Sequence, residues 1–434
     1  MAPLVVAEVL NGKPLCGEYL GVLWGAGWCL QVLVGGEKPS CCYLTDVHVS
    51  LQDEPFTTPK PMDDVCKETG STPYDYGQVL CMSFLFYEAE RSGKLPSNMR
   101  VNWRGDSALE DGADVGHDLT GGYYDAGDHV KFGFPMAYTA TLLGWGLVDF
   151  YEGYEAAAQV DYGLAAIKWA TDYFIKAHTD TYEFYGQDTD PAYATEMLGH
   201  AKELYDFADT YREKYHVSIP GAAGFYQSWS GYGDELCWAA LWLARATGDA
   251  QYLTKARQHW DEFDFTKDEV KQFSWDDKRA GVYAMFYHLT KDDQYLDALN
   301  TYLTWLKEGA TYTPEGLVYL DTWGANRHAA NAAFLALWAA KSGVDADTNR
   351  QWARGQMDQL LGANSRLQRS FVVGLWREPP RQATPQGQAV THTKRARHFP
   401  IPHITKSASL PVTFLRDGLR ESGTNGVIDV APAP

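Results

Sequence analysis

The sequence predicts an all-α fold made of antiparallel helix pairs, arranged as a ring or a stack. Apolar residues recur at a helical period from Tyr76 to Leu361, and strand signals between them are scarce. The segments "ATGDAQYLTKA" and "LTKDDQYLDAL" also resemble each other, with Thr247 corresponding to Thr290. Two successive helical hairpins of similar build explain this internal repeat.

The region before the first helix has a different character. Residues 1–72 lack helical periodicity and end in a stretch rich in Pro, Thr and Asp that is typical of a linker. The apolar run from Tyr19 to Gly36 suggests a signal-peptide core or a membrane anchor, although it lacks a charged flank and a clear cleavage site. Seven cysteines, five of them before residue 67, allow a disulfide-stapled N-terminal region and leave at least one thiol unpaired. We take the apolar run as evidence for secretion, and because no later segment can span a bilayer we expect no stable membrane span.

The helical region alternates with long loops that are rich in glycine and aromatic residues. The first helix is predicted to start at Tyr76 and to stop at Gly93, with Pro96 beyond it. Two loops, Gly105–Phe134 and Gly221–Gly233, interrupt the helical pattern. Because long loops on a helical scaffold usually carry function, we expect the site at the end of the helix pairs where these loops gather.

Charge and aromatic content narrow the class of ligand. The chain has 37 Lys and Arg against 56 Asp and Glu, a formal net charge of -19, which makes nucleic acid a poor partner. It also contains 15 Trp, 27 Tyr and 18 Phe, more than a core of aliphatic residues needs. Most of these rings are expected to fill the core, and the remainder offer flat faces on which sugar rings can stack.

Two aspartates in "GGYYDAGDHVKFGFP" are the strongest candidates for chemistry. Gly121, Gly122 and Gly127 permit tight turns, so that Asp125 and Asp128 can converge on one water molecule. Like charges at that distance perturb each other's pKa, which suits one carboxylate to accept a proton while the other orients the water. The alternative is an acidic turn that caps a helix or binds calcium.

The preceding segment "VNWRGDSAL" favours the catalytic interpretation. It brings Trp103, Arg104 and Asp106 close to the same loop, a mixture suited to gripping hydroxyl groups and stacking on a pyranose. Hydrolysis of a glycosidic bond by inversion needs one carboxylate as base and a distant carboxylic acid that protonates the leaving oxygen.

Six ordered blocks resemble glycoside hydrolase family 9, the inverting cellulases, over residues 73–374. They are "YDYGQVLCMSFLFYEAERSGKLP", "VNWRGDSAL", "DLTGGYYDAGDHVKFGFPMA", "GYGDELCWAALWLARATGD", "LDTWGANRHAANAAFLAL" and "RSFVVG". The resemblance implies an (α/α)6 barrel whose open cleft hydrolyses β-1,4-glucan. It also implies that Asp128 is the general base and Asp125 its partner.

The segment "FYQSWSGYGDELCW" suggests a calcium site. Hard oxygen ligands of the kind that Ca²⁺ prefers lie within six residues of one another: Ser230, Gly231, Asp234 and Glu235. The resemblance implies that Asp276, in the later Trp-Asp-Asp, is the fifth ligand. The alternative is that Asp234 and Glu235 only open the next helix, where negative charge is favoured, and both interpretations can hold together.

The resemblance also implies the residues that contact the glucan chain. Four of them are aromatic, Tyr226, Trp229, Trp275 and Trp323, and the fifth is Arg327, close to Trp323 in the sequence. His328 stands where the family usually has a tyrosine, which is a departure at that subsite.

The chain departs from the family more strongly in two segments. After Gln187 it passes directly to "DTDPAYATEMLGHAKELYDFADTYR" and omits a cleft loop and a helix, so we expect one hairpin of the barrel to be incomplete. After Gly374 it lacks the family's Pro-His-His-Arg and its Asn-Glu-Val, whose Glu is the general acid. Codons for the residues from Gly374, read one nucleotide later, can spell Gly-Tyr-Gly-Val-Asn-Pro-Pro. We therefore hypothesise that residues 375–434 are a frame-shifted tail.

The predicted organisation is an N-terminal region at 1–72, a catalytic domain at 73–374 and an aberrant tail at 375–434. The expected function is that of an extracellular, monomeric endo-β-1,4-glucanase, with activity impaired by the missing general acid. The alternative is a catalytically inactive carbohydrate-binding remnant. An (α/α) barrel of different chemistry would need Asp-rich metal-binding helices or a basic cleft, and neither pattern is present.

Overall fold

The innermost helices are buried, and mostly apolar, on nearly every side. In the computed structural model, which describes residues 65–67, 74–101, 104–125, 129–178, 193–364, 370–372 and 375, fifteen of the seventeen residues of Ala325–Lys341 are buried. A helix that is apolar all round belongs in the interior of a protein. The alanines that dominate this segment let neighbouring helices approach closely on all sides.

The helices in the described ranges are numbered here in chain order. They are α1 (Tyr76–Ala89), α2 (Gly133–Asp149), α3 (Tyr151–Ala156), α4 (Val160–Lys176), α5 (Tyr193–Tyr211), α6 (Tyr215–Ser218), α7 (Gly233–Thr247), α8 (Ala250–Phe263), α9 (Arg279–Thr290), α10 (Asp293–Glu308), α11 (Ala325–Lys341) and α12 (Ala346–Leu360). In these ranges the β-structure is limited to isolated bridges. The all-α prediction is therefore confirmed.

Successive helices pair as hairpins, and the hairpins pack side by side. α7 packs on α8, α9 on α10, α11 on α12, and α2 on α4. The inner members also contact one another, α7 with α9 and α9 with α11. The outer members are amphipathic: α8 buries only Tyr252, Ala256, His259 and Trp260. Of the remaining helices, α1 packs on α4 and α5 packs on α7.

Aromatic rings fill the centre of the inner helices. Trp145 of α2 lies edge-on to Trp242 of α7 at 5.7 Å and to Phe334 of α11 at 4.9 Å between ring centroids. Trp238 and Trp338 are 5.5 and 5.8 Å from the same ring. Edge-to-face pairs at these distances are favourable beyond the apolar area that they bury. This cluster joins α2 directly to the inner helices of the later hairpins.

The internal repeat corresponds to two hairpin turns of the same design. α7 ends at Thr247, Gly248 adopts a left-handed conformation with φ of 68°, and Asp249 caps α8 by accepting from the amide of Gln251 at 2.9 Å. The Thr247 hydroxyl in turn accepts from the Asp249 amide at 3.1 Å.

The second turn repeats each of these features. α9 ends at Thr290, Lys291 is left-handed with φ of 57°, and Asp292 caps α10 by accepting from the amide of Gln294 at 3.2 Å. The Thr290 hydroxyl accepts from the Asp292 amide at 3.2 Å. The predicted pair of similar hairpins is therefore confirmed, with lysine in the place of glycine.

Two features of the remaining chain bear on the predicted organisation. Cys66, just before α1, forms a disulfide with Cys81 of α1, and Cys237 is a buried thiol. The stretch after Gln187, most of residues 1–72 and the tail after residue 375 lie outside the described residues, so the three domain boundaries stay predictions.

Candidate active site

The loops that precede the inner helices meet at the N-terminal ends of those helices. The segment before α2 contributes Asp125, the segment before α7 contributes Tyr226, and the segment before α9 contributes Trp275. Tyr226 contacts both of the others: its hydroxyl bonds to Asp125 and its ring packs on Trp275. The prediction that the loops gather at one end of the helix pairs is therefore confirmed.

Tight turns position the loop that carries the first aspartate. Gly121 and Gly122 have φ of 96° and 72°, and a Cβ atom on Gly122 would lie 2.7 Å from the ring of Tyr173. The Asp125 amide donates to the carbonyl of Val130 at 2.9 Å and closes the loop. Residues 126–128 are outside the described part of the chain, so the role of Asp128 as base stays a prediction.

A buried phenol holds the carboxylate of Asp125. The Tyr226 hydroxyl lies 2.6 Å from one Asp125 oxygen and 2.8 Å from the other, and it donates to this carboxylate. The Tyr226 ring is buried between Phe132, at 4.8 Å, and Trp275, at 4.9 Å and nearly perpendicular. A donor fixed in this way sets the orientation of the carboxylate.

An arginine from the start of α11 faces the same pair. Burial lowers the pKa of Arg327 from its usual value, while nearby Tyr226, Tyr138, Asp321 and Asp125 act in the opposite direction. Its buried Nε makes no hydrogen bond to the described residues. Arg327 thus supplies a partly buried cation with donor capacity near Asp125, and its role in substrate binding stays a prediction.

The four aromatic residues expected to contact glucan divide into exposed and buried pairs. The exposed fraction is 65% for Trp229 and 49% for Trp323, but only 7% for both Tyr226 and Trp275. Trp275 lies behind Trp229, with ring centroids 6.0 Å apart. Trp229 and Trp323 therefore offer flat faces to a ligand, whereas Tyr226 and Trp275 support the site from inside. Which of them contacts glucan stays a prediction.

Sequence reasoning missed one exposed ring in this region. Phe225 is 55% exposed and its ring lies 5.7 Å from Phe132, which itself packs on Tyr226. Its position directly before Tyr226 in the "GFYQSW" segment was the available signal.

Behind the exposed tryptophan, a buried aspartate organises the predicted calcium segment. Asp276 accepts from the amides of Trp229 at 3.0 Å and Ser230 at 3.3 Å, and its own carbonyl accepts from the Ser230 hydroxyl. The carbonyl of Gly231 accepts from the Ser228 hydroxyl. The structure therefore brings Ser230, Gly231 and Asp276 together as the resemblance implies.

The two carboxylates at the start of α7 both contact Lys278. Asp234 is buried and accepts from the amide of Lys278 at 2.7 Å, while Glu235 pairs with the Lys278 ammonium at 2.7 Å. Burial raises the pKa of Glu235 well above its usual range, and neighbouring Asp234 raises it further against the effect of Lys278. Burial also raises the pKa of Asp276. These groups carry more negative charge than one lysine neutralises.

Lys278 was not predicted as part of the site. Its ammonium donates to the carbonyl of Trp275 at 2.5 Å and lies 4.5 Å from the ring of Phe134 and 5.6 Å from that of Tyr138. It directly follows the two aspartates at 276 and 277, which was the available signal.

These donors fit a bound calcium ion. Glu235 Oε2 is buried and makes no hydrogen bond to the described residues. A hard divalent cation with oxygen ligands would bind that oxygen and offset the excess charge of Asp234, Glu235 and Asp276.

Helical hairpins around an aromatic centre, with carboxylates, an arginine and exposed tryptophans at one end, define the class as a helical-hairpin barrel with an acidic and aromatic site. A family model described as "Glycosyl hydrolase family 9" matches residues 76–189 and 185–409. The chain belongs to glycosyl hydrolase family 9. The two matched segments overlap at 185–189, beside Gln187, after which the sequence is predicted to omit a loop and a helix, and the second segment continues past residue 374.

Relatives and solved structures agree with this assignment. The chain is 41% identical to Endoglucanase A of Bacillus pumilus over 71% of this chain and 56% of that protein. It spans about half the length of the first curated relatives that it matches. An endoglucanase structure from the termite Nasutitermes takasagoensis is 45% identical, with a TM-score of 0.65 over 67% of this chain and 79% of that one.

A further structure, the cellulase Cel9M of C. cellulolyticum in complex with cellobiose, is 32% identical with a TM-score of 0.61. It covers 68% of this chain and 80% of that one. The predicted family and the predicted helical-barrel fold are confirmed.

Proposed function

We propose that this chain is an endo-β-1,4-glucanase that cleaves internal bonds of cellulose or related β-glucans with inversion. The observation that carries the proposal is the Asp125 carboxylate, held by both oxygens to the buried Tyr226 hydroxyl beside Arg327. The names of the relatives, endoglucanases in bacteria and plants, support it. The cellobiose complex of Cel9M supports β-glucan as the ligand class.

The proposed mechanism assigns each side chain a step. Asp128 accepts a proton from the attacking water, and Asp125, oriented by Tyr226, holds that water in place. Trp229 and Trp323 stack on sugar rings, so that the scissile bond is presented to the water. The leaving oxygen needs a proton from an acid on the opposite side of the sugar ring.

No residue of this chain is assigned as that acid, because the expected Asn-Glu-Val motif is absent after Gly374. Loss of general acid assistance typically lowers the rate by about 10² to 10⁴. The second candidate function, a carbohydrate-binding remnant without turnover, rests on this absence. We propose a frame-shifted tail as its cause; sequencing the transcript across codon 374 tests this, and an intact reading frame would exclude it.

Two substrates with different leaving groups separate the two functions. We expect slow release of reducing sugar from carboxymethylcellulose, and much faster hydrolysis of dinitrophenyl β-cellobioside, whose leaving group departs without protonation. Asp128→Asn should abolish both reactions. Asp114→Asn, an exposed acid in the same loop, is the matched control and should change neither.

If neither substrate is hydrolysed while cello-oligosaccharides still bind, the remnant is correct and the enzyme proposal fails. If Asp128→Asn leaves hydrolysis unchanged, the assignment of the base fails.

We also propose a structural calcium ion bound by Ser230, Gly231, Asp234, Glu235 and Asp276. The ion would supply positive charge to these oxygens, and its binding would stabilise the fold by mass action. We expect calcium to raise the melting temperature of the wild type and to have little effect on Glu235→Gln. An equal calcium effect on both proteins would place the ion elsewhere.

Finally, we propose that the protein is extracellular and monomeric. The disulfide between Cys66 and Cys81 supports an oxidising compartment. No helix among the described residues is long and apolar enough to cross a membrane. Light scattering of the purified protein tests the monomer, and a stable dimer mass would contradict it.

A further inference from the structure

Three side chains of metal-ligating types converge at the junction of α4 and α5, and none of them belongs to the set described above. His178 follows the last turn of α4, while His200 and Glu203 lie three residues apart on one face of α5. One ligand atom from each residue lies within 4.8 Å of the other two. We propose that these residues form a zinc site.

The geometry of the two imidazoles supports direct ligation. Their Nδ1 atoms are 2.5 Å apart, and the rings are 4.7 Å apart and steeply inclined. At that separation only one proton fits between the nitrogens, so at least one of them directs a lone pair at the other. A zinc ion in place of the proton, at about 2.0–2.1 Å from each nitrogen, needs only a small separation of the rings.

A carboxylate behind His200 favours the same nitrogen as ligand. Glu196 Oε1 lies 3.9 Å from His200 Nε2, one helical turn away. A carboxylate on the Nε2 side favours the tautomer with the proton on that nitrogen and the lone pair on Nδ1, an arrangement common behind metal-bound histidines.

The donor set also discriminates between metals. Two imidazoles and one carboxylate suit zinc, whereas calcium prefers oxygen ligands alone. His178 is buried, His200 is partly exposed and Glu203 is exposed, so an ion can enter from the solvent side and keep water as its fourth ligand. Such an ion would link α5 to the end of α4. The predicted departure from the family, after Gln187, lies between these two helices.

Zinc binding by the full-length protein tests the site, with calcium present in excess so that the oxygen-ligand site is occupied. By equilibrium dialysis we expect the wild type to bind one zinc ion more per chain than the double variant His178→Ala, His200→Ala. His117→Ala, at an exposed histidine in another loop, is the matched control and should bind as the wild type.

A milder variant guards against loss of the fold. Glu203→Gln changes only an exposed side chain, and we expect it to weaken zinc binding by roughly 10- to 100-fold. Cobalt at the site should give a visible absorption without thiolate charge-transfer bands. Equal zinc content in the wild type and the double variant, or unchanged affinity in Glu203→Gln, would overturn the proposal.

Discussion

The two ends of the inner helices bury carboxylates in opposite electrostatic states. At the C-terminal end, Asp149 pairs with Arg245 at 2.5 Å and accepts from the indoles of Trp145 and Trp338 at 2.6 and 2.9 Å. Burial alone would raise the pKa of Asp149, but Arg245 and the other partners lower it. At the N-terminal end, burial raises the pKa of both Glu235 and Asp276.

The difference shows which end is stabilised by its own side chains and which end has charge that a ligand or ion could offset. Asp149 has as many partners as its oxygens can use, and they come from α2, α7 and α11 at once. At the other end, Asp234, Glu235 and Asp276 share one cationic partner, the Lys278 ammonium. An excess of buried charge costs stability unless a ligand or ion offsets it, which is expected of a functional site.

The C-terminal end of the inner helices, with Asp149 and its partners, is called the closed end below. The largest expected effect comes from removing the charge of Asp149 there. Asp149→Asn should lower the free energy of unfolding by about 3–5 kcal/mol, because it leaves the Arg245 guanidinium buried without its charge partner. Urea denaturation measures this loss.

The N-terminal end, with Glu235 and Asp276, is called the open end and supplies the matched control. With calcium removed by a chelator, Asp276→Asn should change the free energy of unfolding little, since it removes a charge that burial already disfavours. A loss as large as that of Asp149→Asn would show that the two ends do not differ in the way described.

The second largest expected effect is a loss of stability at low pH, through His288 at the closed end. Burial, with Arg245 nearby, lowers the pKa of His288 from 6.5 to about 4, against the effect of Asp149. The unfolded chain therefore takes up this proton first as the pH falls, and stability present above pH 6.5 is lost as the pH falls towards 4. The loss should be about 2–3 kcal/mol.

Unfolding of His288→Gln across this pH range checks that prediction. The variant should lose stability less steeply between pH 6.5 and 4, whereas His117→Gln, at an exposed histidine, should follow the wild type. Identical slopes for all three proteins would assign the acid sensitivity to other groups.

The smallest effects come from the paired turns at the closed end. Gly248→Ala should destabilise the protein by about 1 kcal/mol, because alanine is strained at the left-handed φ of 68°. Lys291→Gly, at the equivalent position of the next hairpin, should relieve strain and stabilise by up to about 1 kcal/mol. Thermal unfolding of both variants measures the pair; the same sign for both would refute the equivalence of the two turns.

Much of the fold could be predicted because it depends on local sequence. The start of α1 at Tyr76 and the end of the helical region near Leu361 follow from periodicity, and the repeat at Thr247 and Thr290 follows from capping chemistry. The packing of Trp145 against two other helices, α7 and α11, in contrast, depends on contacts between distant segments. No local pattern marks those contacts.

The site could be predicted in composition but only partly in arrangement. The resemblance located Asp125, Asp276 and the tryptophans, yet it did not indicate that Tyr226 is buried and bonded to Asp125. Nor did it indicate Lys278, because a buried ammonium is recognised only once its carboxylate and carbonyl partners are placed around it.

The bridge from Cys66 to Cys81 has a consequence for proteolysis of the upstream region. A protease that cuts before Cys66 releases the peptide ahead of it. A cut between the two cysteines leaves both fragments covalently joined to each other until the bridge is reduced. Gel mobility with and without reductant would therefore distinguish the two cleavages, and only the first separates the first helix from the residues before Cys66.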